Sequence, residues 1–421
     1  MKRKQYKINI IREGIEDKFY KYIILLLFSF FLLFSKDEQG RVHQAITLNL
    51  ELQRFTVILL ILMIIVFTFR AFDDIWFDII ALLLIIRVVF SLTSIINYNG
   101  TLIEFVEAGF FQLIFLTMVY IMTININDND IEKNIIWIFK IISLILVMQI
   151  SYVFIDAILM GVQLSSIKSM INIPMGRSNF VAMMVAFLLI FGSINYDRSF
   201  KNFILLFLLF ISLLISSSDG AILSIVFIVV IYINNNSPMR LMFRVLSFTL
   251  LAYLLVVILI PLEIVPNIQL TPNTFLERVR RIFSGNISDA SSGRIALFIE
   301  FVDGISKHPI FGNGFYKPFI NIQGTSHNFI LQEAYNSGIV TATIYLLTLS
   351  ISMIKMKKYS ISDNFIKSSY YATLYIVIHS LIEPGLLGYR IGFYFWVLIG
   401  VCMLKIRRIK RIENVNSYHN S

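Results

Sequence analysis

The chain has 421 residues, 57% of them hydrophobic and only 15% charged, which excludes a soluble globular protein. Its formal net charge of +10 lies mostly in short segments between and beyond apolar runs, the distribution of cytoplasmic loops and not of a nucleic-acid footprint. The single cysteine, Cys402, falls in the last apolar run, so no disulfide or cysteine-metal site forms within one chain.

Lipid offers the backbone no hydrogen-bond partner, so apolar runs of roughly 17–25 residues cross it as helices. About twelve apolar runs follow one another, several of them shorter than that and able to form tilted pairs or one broken span, at residues 19–34, 55–69, 76–96, 105–124, 135–160, 179–194, 203–217, 221–233, 242–262, 328–354, 370–387 and 391–404. The first follows a basic segment and lacks a small-residue cleavage site, so it reads as a retained helix and not a removed signal. The expected fold is an all-α polytopic membrane protein with about 12 transmembrane helices and one large extracytoplasmic loop containing short helices. Residues 1–262 would hold the first nine spans, 263–326 the loop, and 327–421 the last three spans with a basic tail.

Charge sets the expected orientation. Lys2, Arg3, Lys4, Lys7, Arg12, Lys18 and Lys21 crowd the N-terminal tail, and Lys405, Arg407, Arg408, Lys410 and Arg411 the C-terminal one. Both termini therefore read as cytoplasmic, and an even span count agrees. Four polar features then fall outside: the segment around Arg177, the turn at 216–220, the loop 263–326, and the turn holding Glu383 and Arg390.

Within the loop, Thr271-Pro272 starts a helix running to about residue 283, and Ser291-Ser292 caps a second that Pro309 ends. Arg294 lies in the first turn of that second helix, where free backbone N–H groups already favour an anion. Its planar fork suits phosphate oxygens, although a surface pair with Glu300 or Asp289 is an equally simple reading. Arg278, Arg280 and Arg281 form a basic cluster nearby, either a substrate contact or a solvated helix face against headgroups. His327 opens a membrane helix at the wet edge, where an imidazole exchanges protons or merely bonds a neighbouring carbonyl. Asn328 and Gln332, one turn apart, orient a hydroxyl-rich ligand or pack helix to helix. Arg177, in Met-Gly-Arg-Ser-Asn-Phe, precedes another span and holds either a lipid phosphate or a substrate. Asp219, His379 and Glu383 are further polar groups at the same edge. Arg87 and Asp156 lie deeper, where ionisable groups are costly; pairing with each other would satisfy both.

There is no P-loop, no H-E-x-x-H, no G-x-S-x-G and no acidic metal motif in the outer loops, so neither metal nor cofactor is called for. The order of the remaining motifs resembles the bacterial O-antigen polymerase and ligase superfamily. Arg294 precedes His308-Pro309-Ile310-Phe311-Gly312-Asn313-Gly314, which is followed by His327-Asn328-Phe329-Ile330-Leu331 and then Gly338-Ile339. Arg177-Ser178-Asn179 is similar to the family's arginine before a span. One position departs: a serine-arginine-glycine turn common in the family is Ser218-Asp219-Gly220 here.

The resemblance implies a metal-independent glycosyltransferase acting on the outer face of the cytoplasmic (inner) membrane. Donor and acceptor would be glycans on undecaprenyl pyrophosphate, with membrane lipids, a chain-length regulator and a flippase as further partners. His327 would accept the proton of the attacking hydroxyl, and Arg294 and Arg177 would hold the departing pyrophosphate. The same motifs also suit a ligase that transfers the glycan to lipid A core. A flippase for the same lipid-linked oligosaccharide is the reading from another class, and a noncatalytic scaffold is a third.

Overall fold

The computed structural model describes residues 78–98, 100–126, 130–162, 164–173, 175–216, 218–235, 294–315 and 326–419. The expected spans at 19–34, 55–69 and 242–262, the helix at 271–283 and the arginines 278, 280 and 281 lie outside those residues. What is described is an almost wholly helical bundle with one small hairpin.

α1 (Ile79–Leu92) ends in a 3-10 turn, Thr93–Asn97. It starts at Asp78, whose Oδ1 accepts from the backbone N–H of Ile80 at 2.9 Å and Ala81 at 3.0 Å. α2 (Leu102–Phe105) continues through a π-turn (Val106–Phe110) into α3 (Phe111–Ile124), so the expected run at 105–124 is bent at Gly109, against which Phe315 packs. α4 (Ile131–Leu159) and the short α5 (Leu164–Met170) lead to an antiparallel hairpin, β1 (Asn172–Ile173) and β2 (Gly176–Arg177). α6 (Ser178–Asn195), α7 (Phe200–Ser216) and α8 (Asp219–Asn235) follow. After the undescribed residues come α9 (Arg294–Lys307), α10 (Phe329–Tyr359), α11 (Asn364–His379), a 3-10 turn (Gly385–Leu387) and α12 (Tyr389–His419).

Four of these helical stretches, Ile79–Asn97, Ile131–Leu159, Ser178–Asn195 and Phe329–Tyr359, are long and apolar enough to cross a bilayer, and Phe111–Ile124, Phe200–Ser216 and Gly220–Tyr232 are shorter apolar helices. α6 and the first half of α12 sit at the centre: Val181 to Leu188 and Phe393 to Cys402 are buried almost without a break. α6 packs on α7 and α11, α12 on α3, and α10 on α1. Hydroxyls inside the bundle turn back on their own helices. Thr123 donates to Val119 O at 2.7 Å, Ser143 to Phe139 O at 2.7 Å and Ser352 to Thr348 O at 2.7 Å, so these three donors are satisfied without leaving their helices.

The run expected at 370–387 is shifted. Its helix begins at Asn364, capped by Asp363 on Ile366 N at 2.9 Å, and stops at His379. Ile382 N and Glu383 N both turn back to His379 O, and Pro384 has no N–H to continue the ladder. This creates a polar corner where a continuous span was expected.

The deep arginine also finds a different partner. Arg87 Nε lies 2.7 Å from Glu333 Oε1, both groups buried, and the guanidinium stands 3.6 Å over the Tyr345 ring. The pair expected with Asp156 is therefore replaced by one that ties α1 to α10, since α10 is the helix α1 packs on. At one end of the bundle Asp78 holds Arg407, while Lys405 meets both Glu132 and Asp363. The hairpin, the start of α10 and the corner after α11 occupy the opposite end.

Candidate active site

α10 is not one continuous helix. Gly338 has φ 86° and ψ 165°, which frees the carbonyls of the preceding turn, and the segment after α9 takes them up. Asn313 N donates to Tyr335 O at 2.8 Å and Gly314 N to Asn336 O at 2.9 Å, while Ile339 N donates to Pro309 O at 2.8 Å. Only glycine fits this clasp, because a Cβ on Gly338 would stand 1.9 Å from Ile310 O and one on Gly312 2.5 Å from Asn336 O. Asn97 seals the outside by donating to Gly312 O at 2.9 Å. The motif from His308 to Gly314 and the distant Gly338-Ile339 are thus two halves of one joint. That joint lays α9 along the first turns of α10, with Phe301 against Tyr335 at 5.1 Å between ring centroids.

The start of α10 is equally well determined. Asn328 caps it, accepting from Ile330 N at 2.9 Å and Leu331 N at 3.1 Å. Its amide donates to Leu381 O at 3.2 Å, and Phe329 N donates to Ser380 O at 3.0 Å, so the helix start is fastened to the corner after α11. Gln332 accepts from Ser326 N at 3.1 Å and donates to Asn336 Oδ1 at 3.0 Å. Asn328 and Gln332 therefore shape the backbone that carries His327.

His327, one residue before the cap, has φ 54°, the left-handed region that a non-glycine residue enters only when its surroundings hold it there. Its Nδ1 lies 3.2 Å from Glu383 Oε2, with 28% of the histidine side chain and 9% of the glutamate side chain exposed. Asn179 Nδ2 approaches the same oxygen at 3.4 Å. Since Asn179 sits in the first turn of α6, the strand residue Arg177 just before it is drawn to this end as well. Arg177 is exposed at the hairpin, paired in register with Asn172. Gly176 has φ 129°, and a Cβ there would stand 3.0 Å from Arg390 Nη1, so a second guanidinium lies against the hairpin. The start of α8 reaches the same place: a Cβ on Gly220 would be 3.2 Å from the Ile382 side chain and 3.5 Å from His379 Nε2.

The expected site residues are thus distributed as follows. His327, Asn328, Gln332 and Arg177 lie at the same end of the bundle, as do Glu383, Asn179 and Arg390. Arg294 is the first residue of α9. Neither the coupling of His327 to Glu383 nor the Arg87–Glu333 pair is visible as a contact in the sequence pattern. A glutamate inside the apolar run of α10 was the available signal for the second, since buried charge in lipid demands a partner. Among the described residues no group of three or more His, Cys, Asp and Glu side chains is placed to hold a metal ion. Chemically, the end offers a half-exposed imidazole, a buried carboxylate at its back and two guanidiniums suited to an anion.

Residues 204–346 match a family model described as O-Antigen ligase. A search among curated proteins finds no match. The matched range covers most of α7, all of α8 and α9, the clasp and the first half of α10. It includes Arg294, His327 and Gly338, and it leaves Arg177, Asn179, Glu383 and Arg390 outside.

Proposed function

We infer that this chain, a member of the O-antigen polymerase and ligase superfamily, polymerises oligosaccharide repeat units carried on undecaprenyl pyrophosphate into O-antigen or capsular polysaccharide. The reaction runs on the outer face of the cytoplasmic membrane, toward which the His327 end of the bundle is turned. A hydroxyl of one lipid-linked glycan attacks the anomeric carbon of the other. Its O–H proton passes to His327, the new glycosidic bond forms, and the bond to the lipid pyrophosphate breaks with its electron pair on the phosphate oxygen. The guanidiniums of Arg177 and Arg294 bind that departing anion, lowering its cost as a leaving group. General-base help of this kind contributes about 10²–10⁴-fold.

The observation that supports this reading is the posture of His327. It is held at φ 54° with 28% of its side chain exposed, at the end of the bundle that also carries Arg177. A histidine serving only to start a helix has no need of that backbone conformation, because Asn328 already provides the cap.

The test is reconstitution of the purified protein with undecaprenyl-pyrophosphate-linked oligosaccharide. Lengthening glycans on a gel are the expected result. Transfer to lipid A core without lengthening would identify a ligase, and translocation without a new glycosidic bond would identify a flippase. Reporter fusions within residues 263–326 check the orientation, and a cytoplasmic signal there would contradict it.

A further inference from the structure

Glu383 lies outside the matched residues 204–346 and 56 positions from His327, yet its Oε2 stands 3.2 Å from the Nδ1 of that histidine. The approach is enforced from several directions. Phe329 N donates to Ser380 O at 3.0 Å and Glu383 N to His379 O at 2.9 Å, so the corner after α11 is tied both to α10 and to its own helix. Asn328 adds a side-chain bond to Leu381 O at 3.2 Å. Asn179, from α6, places its amide 3.4 Å from the same Oε2 and so restrains the carboxylate from the other side.

An ionised carboxylate only accepts hydrogen bonds, so the imidazole nitrogen facing it must carry the proton. That assignment leaves Nε2 with its lone pair free. The burial is asymmetric in the useful sense: the glutamate is 9% exposed and the histidine 28%, so the carboxylate backs the ring and the ring is the more open of the two. We propose that Glu383 is a positioning residue of the glycosyl transfer, holding His327 in the Nδ1–H tautomer and offsetting the charge of the imidazolium that forms at Nε2.

This role rests on the glycosyl-transfer reading given above. The acceptor O–H bond breaks and its proton goes to Nε2, while the oxygen takes the anomeric carbon and the pyrophosphate leaves with the bonding pair. The imidazolium then returns the proton to water through its exposed side. Glu383 stays ionised throughout and touches neither sugar nor phosphate.

Two measurements on the full chain decide it. The first is a ¹⁵N imidazole spectrum of the detergent-solubilised protein. The chain has 5 histidines, so the His327 signal is assigned by its loss in His327→Gln. A neutral ring protonated at Nδ1 is expected, and a ring protonated at Nε2 overturns the proposal. Because this needs no Glu383 variant, it stands even if such a variant fails to insert.

The second is a double-mutant cycle with undecaprenyl-pyrophosphate-linked oligosaccharide as substrate. Glu383→Gln should lower kcat by about 10²-fold with KM unchanged, and should cost nothing further in the His327→Gln background. Equal losses in both backgrounds would mark Glu383 as merely structural and overturn the proposal. A wild-type rate for Glu383→Gln beside an inactive His327→Gln overturns the positioning role alone. A wild-type rate for His327→Gln instead removes the base itself, and this proposal with it.

Discussion

Gly338→Ala is the substitution whose consequence is most fully fixed by geometry. The added Cβ would stand 1.9 Å from Ile310 O and 2.5 Å from Ile310 C, both backbone atoms that no rotamer change can move. Either the segment after α9 withdraws or Gly338 leaves φ 86°. Withdrawal breaks the bonds from Asn313 N to Tyr335 O, Gly314 N to Asn336 O and Ile339 N to Pro309 O. At about 1 kcal/mol net for each hydrogen bond, that is about 3 kcal/mol. A side chain forced into the left-handed region adds about 1–2 kcal/mol, so the local loss is roughly 4–5 kcal/mol. Gly161→Ala is the matched control, since that glycine has φ +69° but nothing within 4 Å of its Cβ position; it should lose only the strain. The assay is the thermal midpoint in detergent together with glycan chain length in cells. Gly338→Ala should fall well below Gly161→Ala in midpoint and lose chain extension. Equal midpoints for the two variants would refute the clasp as the joint between α9 and α10.

The Arg87–Glu333 pair should behave as a buried ion pair. Arg87→Met alone strands a buried carboxylate and should cost about 3–5 kcal/mol, whereas Arg87→Met with Glu333→Leu should recover much of the loss in thermal midpoint. A double variant no better than the single would mean that the arginine acts through its contact with Tyr345 and not through the charge pair. Asn328→Ala removes the cap of α10 and the bond to Leu381 O and should cost about 1–2 kcal/mol. Asn328→Asp keeps the accepting oxygen and should be intermediate, as read by the same melting curves; identical curves for the two variants would show that the cap contributes nothing.

Much of this architecture was legible because lipid imposes a simple code on sequence. The helices α4, α6, α7 and α8 lie within a few residues of their apolar runs, and Pro309 closes α9 where the sequence places it. Composition carries such information because each helix needs only its own residues to satisfy its backbone. Most of the hidden features join residues far apart in the chain. Gly338 stands in the sequence as the last part of a motif inside a long apolar run, and its structural meaning appears only once Ile310 is packed against it. Arg87 and Glu333 are separated by 246 positions, and no periodicity links them. Glu383 was visible as a polar residue in a turn, but its tie to His327 depends on the corner where α11 stops short. The hairpin that presents Arg177 is only two residues per strand, too short for any alternation to announce it. The site was therefore legible as a set of residue types at one edge, and its internal contacts were not.

Activity per inserted molecule in His327→Ala tests the central claim most directly. The variant is compared with the unaltered protein at matched level in the membrane, in cells lacking any other copy, with glycan length read on a gel. A base worth about 10²–10⁴-fold predicts a folded, inserted protein with almost no chain extension. Glycan of normal length from His327→Ala would contradict it and leave the arginines without the histidine as the groups that carry the reaction.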